Sequence, residues 1–334
     1  MSASGPDIPL RRLGKTDIRI TPIGLGCWQF SGRTRRLARY WPPLDQETTR
    51  GIVRAGLEGG INWFDTAEVY GGGTSERNLA TTLKSLNVRP GDVHIATKWW
   101  PLMRSAANIT SNIDTRLQCL DGFPVDLFQV HQPVSFSSVE KEMAAMAAVL
   151  RAGKVRAVGV SNFSVDRMDR ARRALEDEGL VLASNQVSYS LVRRNIERNG
   201  ILDYAKEHGI SIIAWSPLGQ GICSGKFHDN PELIRKRQGP RRYRPEFRSK
   251  GLAKTRPVVE TLREVANRHN VTPSEVALAW LIRFHGETVL AIPGATKESH
   301  ARINTGAMGL ELAQDEMDEL ESVSRHLMGT SVIL

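Results

Sequence analysis

The segment Arg151-Ala152-Gly153-Lys154-Val155-Arg156-Ala157-Val158-Gly159-Val160-Ser161-Asn162-Phe163 holds a Gly turn followed by a β-rich run. It sits between two stretches, Ser138 to Ala152 and Asp166 to Glu178, whose apolar residues recur at helical spacing. Helix, strand, helix is one unit, and the unit repeats in both directions along the chain. After an expected N-terminal hairpin around Leu10 to Ile20, strands are expected at Ile23–Cys27, Ile61–Asp65, His94–Lys98, Leu127–His131, Val155–Val160, Ala183–Val187, Ile210–Trp215 and Val289–Ile292. Further amphipathic stretches run from Gln46 to Glu58, Glu76 to Leu86, Glu197 to His208 and Pro273 to Phe284. Strands alternating with helices imply parallel pairing and right-handed crossovers. Eight units with no Pro/Gly/Ser-rich linker between them predict an α/β fold, a single-domain (β/α)8 TIM barrel over residues 10–325, with 1–9 and 326–334 as terminal extensions.

Two nucleotide-binding alternatives lose their signals. Gly24 and Gly26 have the first spacing of a dinucleotide fingerprint, but Gln stands at position 29. Gly225-Lys226 is followed by Phe227 and preceded, five residues upstream, by Gln220, so a P-loop fails at both ends.

The chain has 334 residues, 40% apolar and 24% charged, enough to bury a sizeable core. No apolar run approaches the ~18 residues of a membrane span, and the first residues lack the order of a signal peptide, so a cytoplasmic protein is expected. Cys27, Cys119 and Cys223 are isolated in sequence, which argues against a disulfide framework and against a metal site. The net charge of +9 is concentrated between Ile222 and Arg256, where eleven basic residues face three acidic ones. Dense Arg and Lys with Pro231, Pro240 and Pro245 predicts a solvated, disordered run in the free protein, part of which closes over a bound polyanion. A second basic cluster, Arg33, Arg35, Arg36 and Arg39, lies in the stretch from Ser31 to Leu44, which is expected to cap the site.

In a barrel of this kind chemistry sits at the C-terminal ends of the strands. Asp65 ends the second expected strand, Lys98 the third, His131 the fourth and Ser161-Asn162 the fifth; Gln186 lies near the end of the sixth and Trp215-Ser216 ends the seventh. Asp65, Tyr70, Lys98 and His131 together suit protonation of an oxygen. A lysine ammonium near a phenol is expected to lower the phenol pKa, an aspartate keeps that lysine charged, and a histidine places the carbonyl. Each has a plainer reading alone: a loop filler, a solvated charge, a satisfied buried histidine. Trp28, Tyr40, Trp41, Trp99 and Trp100 fall in or beside the same loops and are read as walls of a small-molecule pocket, with core packing as the competing reading.

Nearly the whole chain resembles the aldo-keto reductase superfamily. The resemblance is carried by Phe64-Asp65-Thr66-Ala67-Glu68-Val69-Tyr70-Gly71, Ala96-Thr97-Lys98, Val130-His131-Gln132-Pro133, Arg151 to Phe163, Asn185-Gln186-Val187, Ala214 to Gly221 and Ile292-Pro293-Gly294-Ala295. It implies an NAD(P)H-dependent oxidoreductase reducing an aldehyde or ketone, with Asp65, Tyr70, Lys98 and His131 as catalytic tetrad and Tyr70 as acid. It further implies that Gly26, Trp28 and Asp65 border the cofactor, that Ser161, Asn162 and Gln186 hold the nicotinamide amide, and that Trp215 stacks on the ring. Ser216, Pro217, Leu218, Gly219 and Gly221 would cradle the pyrophosphate, and Gly294, Thr296, Lys297, His300 and Asn304 the adenine end. Many relatives carry Arg where His300 stands and an acidic residue or Gln where Ile303 stands; Lys297 is then the expected phosphate ligand, and NADPH is expected over NADH. The expected partner is a small-molecule carbonyl substrate, not nucleic acid and not a membrane. The competing function is a non-catalytic, nucleotide-binding accessory subunit on the same fold. A nucleic-acid-binding protein rests only on the positive charge and lacks a recognition motif.

Overall fold

A computed structural model describes residues 8–32, 43–236 and 243–328. A short antiparallel hairpin, β1 (Arg11–Arg12) and β2 (Arg19–Ile20), comes first. Eight parallel strands follow: β3 (Leu25–Gly26), β4 (Trp63–Asp65), β5 (His94–Trp99), β6 (Val125–Val130), β7 (Val155–Ser161), β8 (Leu182–Ser188), β9 (Ser211–Trp215) and β10 (Val289–Ala291), each paired with its neighbours in chain order. The ring closes where Ile23 bridges Ala291 and Gly26 bridges Gly294. There the Gly24 N–H donates to the Ala291 carbonyl at 2.9 Å and the Gly26 N–H to the Pro293 carbonyl at 3.1 Å. This is the (β/α)8 barrel that the alternation predicts.

The helices wrapped around it are α1 (Gln46–Glu58), α2 (Thr74–Ser85), α3 (Ala107–Cys119), α4 (Val139–Arg151), α5 (Val165–Glu176), α6 (Ile201–His208), α7 (Lys226–Asp229), α8 (Glu232–Arg235), α9 (Ser249–His269), α10 (Pro273–Arg283), α11 (Glu298–Gly309) and α12 (Gln314–Ser324). Asp45, Ser138 and Ser164 cap α1, α4 and α5 by accepting an amide three residues on, and Thr272 with Glu275 forms a full capping box on α10. Each such cap contributes about 1 kcal/mol.

The hairpin plugs the bottom of the barrel. Leu13, Ile18 and Ile20 pack against the inward side chains of the lower strand ends, among them Trp63, Leu127 and Leu290. Gly24 is required here, because a Cβ on it would lie 2.3 Å from the Trp63 ring. With one end filled by apolar side chains, polar groups on the strands face the other end. Strand alternation does this directly: two residues beyond Trp63, Ala96 and Leu127 come Asp65, Lys98 and Gln129.

One expectation is corrected. The described residues of the basic segment are folded, because Ile222, Phe227, Ile234, Phe247 and Leu252 are spaced among the charges so as to bury one another in a small separate core. Its last residues belong to the 21-residue helix α9, which tolerates Pro257 inside it. Arg237, Pro240, Arg241 and Arg242 lie outside the described residues, as do Arg33, Arg35, Arg36 and Arg39. Helix α3 fills the segment between β5 and β6 although its Asn-, Ser- and Thr-rich sequence has weak propensity; its buried apolar residues are Ile109, Ile113 and Cys119. Among the described residues no helix is long and apolar enough to cross a membrane.

Candidate active site

Asp65, the last residue of β4, and Lys98, on β5, meet inside the barrel mouth, both essentially without solvent exposure. Lys98 Nζ donates to Asp65 Oδ1 at 2.5 Å and to the Thr66 carbonyl at 2.8 Å. The other carboxylate oxygen, Oδ2, accepts from Gln186 Nε2 at 2.8 Å and from Gln129 Nε2 at 3.4 Å. A buried charge pair of this kind is stabilised by further hydrogen bonds, and here both carboxylate oxygens and two of the three ammonium hydrogens have partners.

Tyr70, in the loop between β4 and α2, lies half-buried over this pair, with Lys98 Nζ 5.1 Å from its ring centroid. His131, the residue after β6, meets Tyr70 edge-on at 5.7 Å between ring centroids. All four tetrad candidates are thus brought together. Burial, aided by Asp65, holds the Tyr70 phenol well above its ordinary pKa of 10.0. This rise runs against the lowering expected from Lys98: burial of the phenol outweighs it, and Asp65, 2.5 Å from the ammonium, adds to the rise. Burial also lowers Lys98, against the pull of Asp65. His131 is pushed well below 6.5 by burial and by the Lys98 charge, so it is a neutral imidazole at pH 7, and its Nδ1 is buried without a protein partner.

Aromatic walls surround the phenol and imidazole. Trp28 stacks on Tyr70 with centroids 5.8 Å apart, and Trp100 meets His131 edge-on at 5.3 Å. Trp99 does not join them. It follows Lys98 on the same strand, so it points outward, fully buried in the core, with Nε1 donating to Asn108 Oδ1 at 3.0 Å. Tyr40 and Trp41 lie outside the described residues.

Glu68 is a residue the sequence reasoning passed over except as part of a motif. Its buried carboxylate accepts the Trp100 amide at 2.9 Å, Arg104 at 2.6 Å and Asn112 Nδ2 at 3.0 Å. It thereby ties the loop that carries Tyr70 to the loop that carries Trp100. No local pattern marks this, since its partners lie 32 to 44 residues away.

The strand ends on the far side of the mouth are also linked. Ser161 Oγ donates to the Gln186 carbonyl at 2.8 Å, Asn162 Nδ2 to Ser161 Oγ at 3.0 Å, and Trp215 Nε1 to Asn162 Oδ1 at 3.1 Å. Asn162 has φ 61°, a left-handed backbone held in place by these bonds. Gln186 is spent on Asp65 through its Nε2, so its amide nitrogen serves the tetrad. Gly26 and Gly294 sit at the seam of the barrel: a Cβ on Gly26 would lie 2.8 Å from the Ile292 carbonyl, and one on Gly294 2.3 Å from the Gln29 amide. Barrel closure accounts for Gly26, and packing of the Gln29 side chain for Gly294.

The turn after β9 is strained, with positive φ at Ser216, Gly219, Gln220 and Gly221. It also closes on itself. The amides of Gly219, Gly221, Ile222 and Cys223 donate to carbonyls of Ser216, Leu218 and Gly219 within the turn, so they are not an open cradle. Positive charge at this end comes from Lys226 and Lys297, both of which act on His300 and, after burial, hold its pKa low. His300 Nδ1 lies 3.3 Å from Thr296 Oγ1. Asn304 is buried nearby in sequence, with its Nδ2 unpartnered. Lys226 was not among the expected ligands. Its signal in the sequence is its place just beyond the turn, where a Cβ on Gly221 would lie 3.6 Å from its Nζ. Two lysines and an unfilled buried amide suit a phosphorylated dinucleotide.

A sequence model of the Aldo/keto reductase family matches residues 22–325. The chain belongs to the aldo/keto reductase family. An uncharacterised oxidoreductase of Mycobacterium tuberculosis is 34% identical over 310 residues, covering 92% of this chain and 90% of that protein. The Schizosaccharomyces pombe aldo-keto reductase yakc [NADP(+)] is 26% identical, covering 94% of this chain and 90% of its own. Among solved structures, the glycerol dehydrogenase AKR11B4 from Gluconobacter oxydans superimposes with a TM-score of 0.81 at 25% identity, covering 97% of both chains. The thermostable aldo-keto reductase Tm1743 in complex with epalrestat gives 0.74 at 28% identity, covering 95% of this chain and 100% of that one. Membership of the family makes the chain an oxidoreductase by kinship.

Proposed function

We propose that this chain is an NADPH-dependent carbonyl reductase, with residues 10–325 acting as one catalytic unit. The observation that carries the reading is the meeting of Tyr70, His131 and the buried Lys98–Asp65 pair at one barrel mouth. A bound dihydronicotinamide would supply a hydride to the carbonyl carbon. The neutral His131 donates a hydrogen bond to the carbonyl oxygen and holds it against Tyr70. Tyr70, kept protonated by its raised pKa, gives its proton to that oxygen as charge develops there. Lys98 then faces the phenolate that remains, and Asp65 keeps the lysine in position. Trp28 and Trp100 wall the substrate.

Ser161, Asn162 and Trp215 are assigned to the nicotinamide end, with Gln186 acting through Asp65. Ser216 to Gly221 pass the pyrophosphate, and Lys226, Lys297, Thr296, His300 and Asn304 take the adenine end. The two lysines at that end favour NADPH over NADH, in keeping with the NADP(+) in the name of the yeast relative. The deciding experiment is NADPH and NADH oxidation followed with a panel of aldehydes and ketones. Turnover with NADPH well above that with NADH is expected. Tight NADPH binding with no turnover on any carbonyl would instead make the chain the accessory, non-catalytic protein.

A further inference from the structure

We propose that Glu68 and Arg104 are a positioning pair that holds the Trp100 wall against the substrate, and so makes the mouth selective for carbonyl compounds with a wide apolar body, such as aryl aldehydes, over short ones. The inference rests on the carbonyl-reductase reading and adds to it the residues that set its substrate preference.

Trp100 is the first residue beyond β5. Its amide donates to Glu68 Oε2 at 2.9 Å, and its ring meets His131 edge-on at 5.3 Å. Four residues on, Arg104 Nη1 donates to the other carboxylate oxygen, Oε1, at 2.6 Å. The Arg104 amide closes the turn on the Pro101 carbonyl at 3.0 Å, and the Arg104 carbonyl accepts the Phe136 amide at 2.9 Å. One carboxylate therefore fastens both ends of the Trp100–Arg104 turn and, through Arg104, the loop that leaves His131. Asn112 of α3 adds a third donor at 3.0 Å.

The two sides of this clamp do not depend on it equally. On the Tyr70 side the backbone is held without the carboxylate. The Glu68 N–H donates to the Lys98 carbonyl at 3.1 Å, the Gly73 N–H to the Glu68 carbonyl at 3.0 Å and the Tyr70 N–H to the Ala67 carbonyl at 3.1 Å. On the Trp100 side the amide bonds to the Glu68 side chain itself. Glu68 is 8% exposed, so removing its charged partner leaves a buried carboxylate that must find other solvation, and the turn moves with it. Loss of the pair should release Trp100 while Tyr70 stays in place, which weakens substrate contact and spares the chemistry. An apolar wall stabilises a bound molecule in proportion to the area it covers, so a short aldehyde loses little and an aryl aldehyde loses much.

The test is steady-state kinetics of the full chain with NADPH and either benzaldehyde or propanal, for the unaltered protein, Arg104→Met, Glu68→Gln and the double variant. The unaltered protein should have the lower KM for benzaldehyde. Arg104→Met, which alters a partly exposed side chain, should raise that KM by at least about fivefold and leave the propanal KM and both kcat values within about twofold. Glu68→Gln should do the same, and the double variant should be no worse than the worse single one, as expected of two residues acting as a unit. NADPH affinity, followed by fluorescence titration, should hold in all of them and so report an intact fold. An unchanged benzaldehyde KM in both single variants, or fully additive effects in the double variant, would overturn the inference and leave the carbonyl-reductase reading standing. Equal kcat losses on both aldehydes with KM unmoved would do the same, since that is how a merely destabilised protein behaves. An unaltered chain that turns over no carbonyl compound would overturn both.

Discussion

The two ends of the site are built in opposite ways. The tetrad end is made of strand termini: Asp65 and Lys98 are fixed by the barrel, nearly solvent-free, and hydrogen-bonded to each other, to the Thr66 carbonyl and to Gln129 and Gln186. The end proposed to hold the cofactor's phosphates is made of loops and short helices, where Lys226 and Lys297 are exposed and act on a half-buried His300. Burial makes the first end a place where a proton's position is controlled. Exposure makes the second a place where charge can be met at little desolvation cost. Chemistry and recognition are thereby separable, and variants at the two ends should fail differently.

Replacing Tyr70 with Phe should give the largest effect. It removes only the hydroxyl, so turnover should drop by at least ~10²-fold while NADPH affinity stays nearly unchanged. Wild-type turnover in this variant would break the contrast at its chemical end. The lysines give the next effect in size. Lys226→Ala combined with Lys297→Ala should weaken NADPH by at least about tenfold, as expected for losing charge-assisted contacts to a phosphate. NADH, which lacks the 2′-phosphate, should be affected less, and kcat at saturating cofactor should hold. Equal losses for both cofactors would show that the lysines do not read the phosphate.

The smallest expected effect is a flat pH profile. His131 has its pKa held below 6.5, so it stays neutral as pH rises from that value; Tyr70 has its pKa held above 10.0, so it stays protonated up to that value. Neither group changes charge between pH 6.5 and 10.0, and kcat for carbonyl reduction should show no step from them in that window. A clear ionisation near neutrality in the wild type that disappears in a His131 variant would mean that the imidazole is less buried in the working enzyme than this structure places it.

Much of this was legible in the chain itself. Periodicities of two and 3.6 mark strands and helices because each element has one face to bury, and the eight repeats left a barrel as the simplest closure. The meeting of Asp65, Lys98 and His131 at one mouth was legible for a related reason: a residue at the end of a parallel strand can point only into the mouth or away from it. The period of two that turns Lys98 inward turns Trp99 outward into the core, a distinction that needs the register of β5 rather than its composition.

What the tertiary structure decided depends on contacts between residues far apart in sequence. Glu68 clamps Trp100 and Asn112, Gln186 reaches Asp65 across 121 positions, and Lys226 and Lys297 arrive at one imidazole from different loops. The folding of the basic segment belongs here as well, because its five apolar residues become a core only when the chain brings them together. The sign of the Tyr70 shift was decided by burial. A sequence places a lysine near a tyrosine, but only the fold shows that the phenol is desolvated and that Asp65 adds to the rise. Local pattern determines which elements form, since that needs only neighbouring side chains; electrostatics and the choice of partners fall off with distance in space and so wait for the fold.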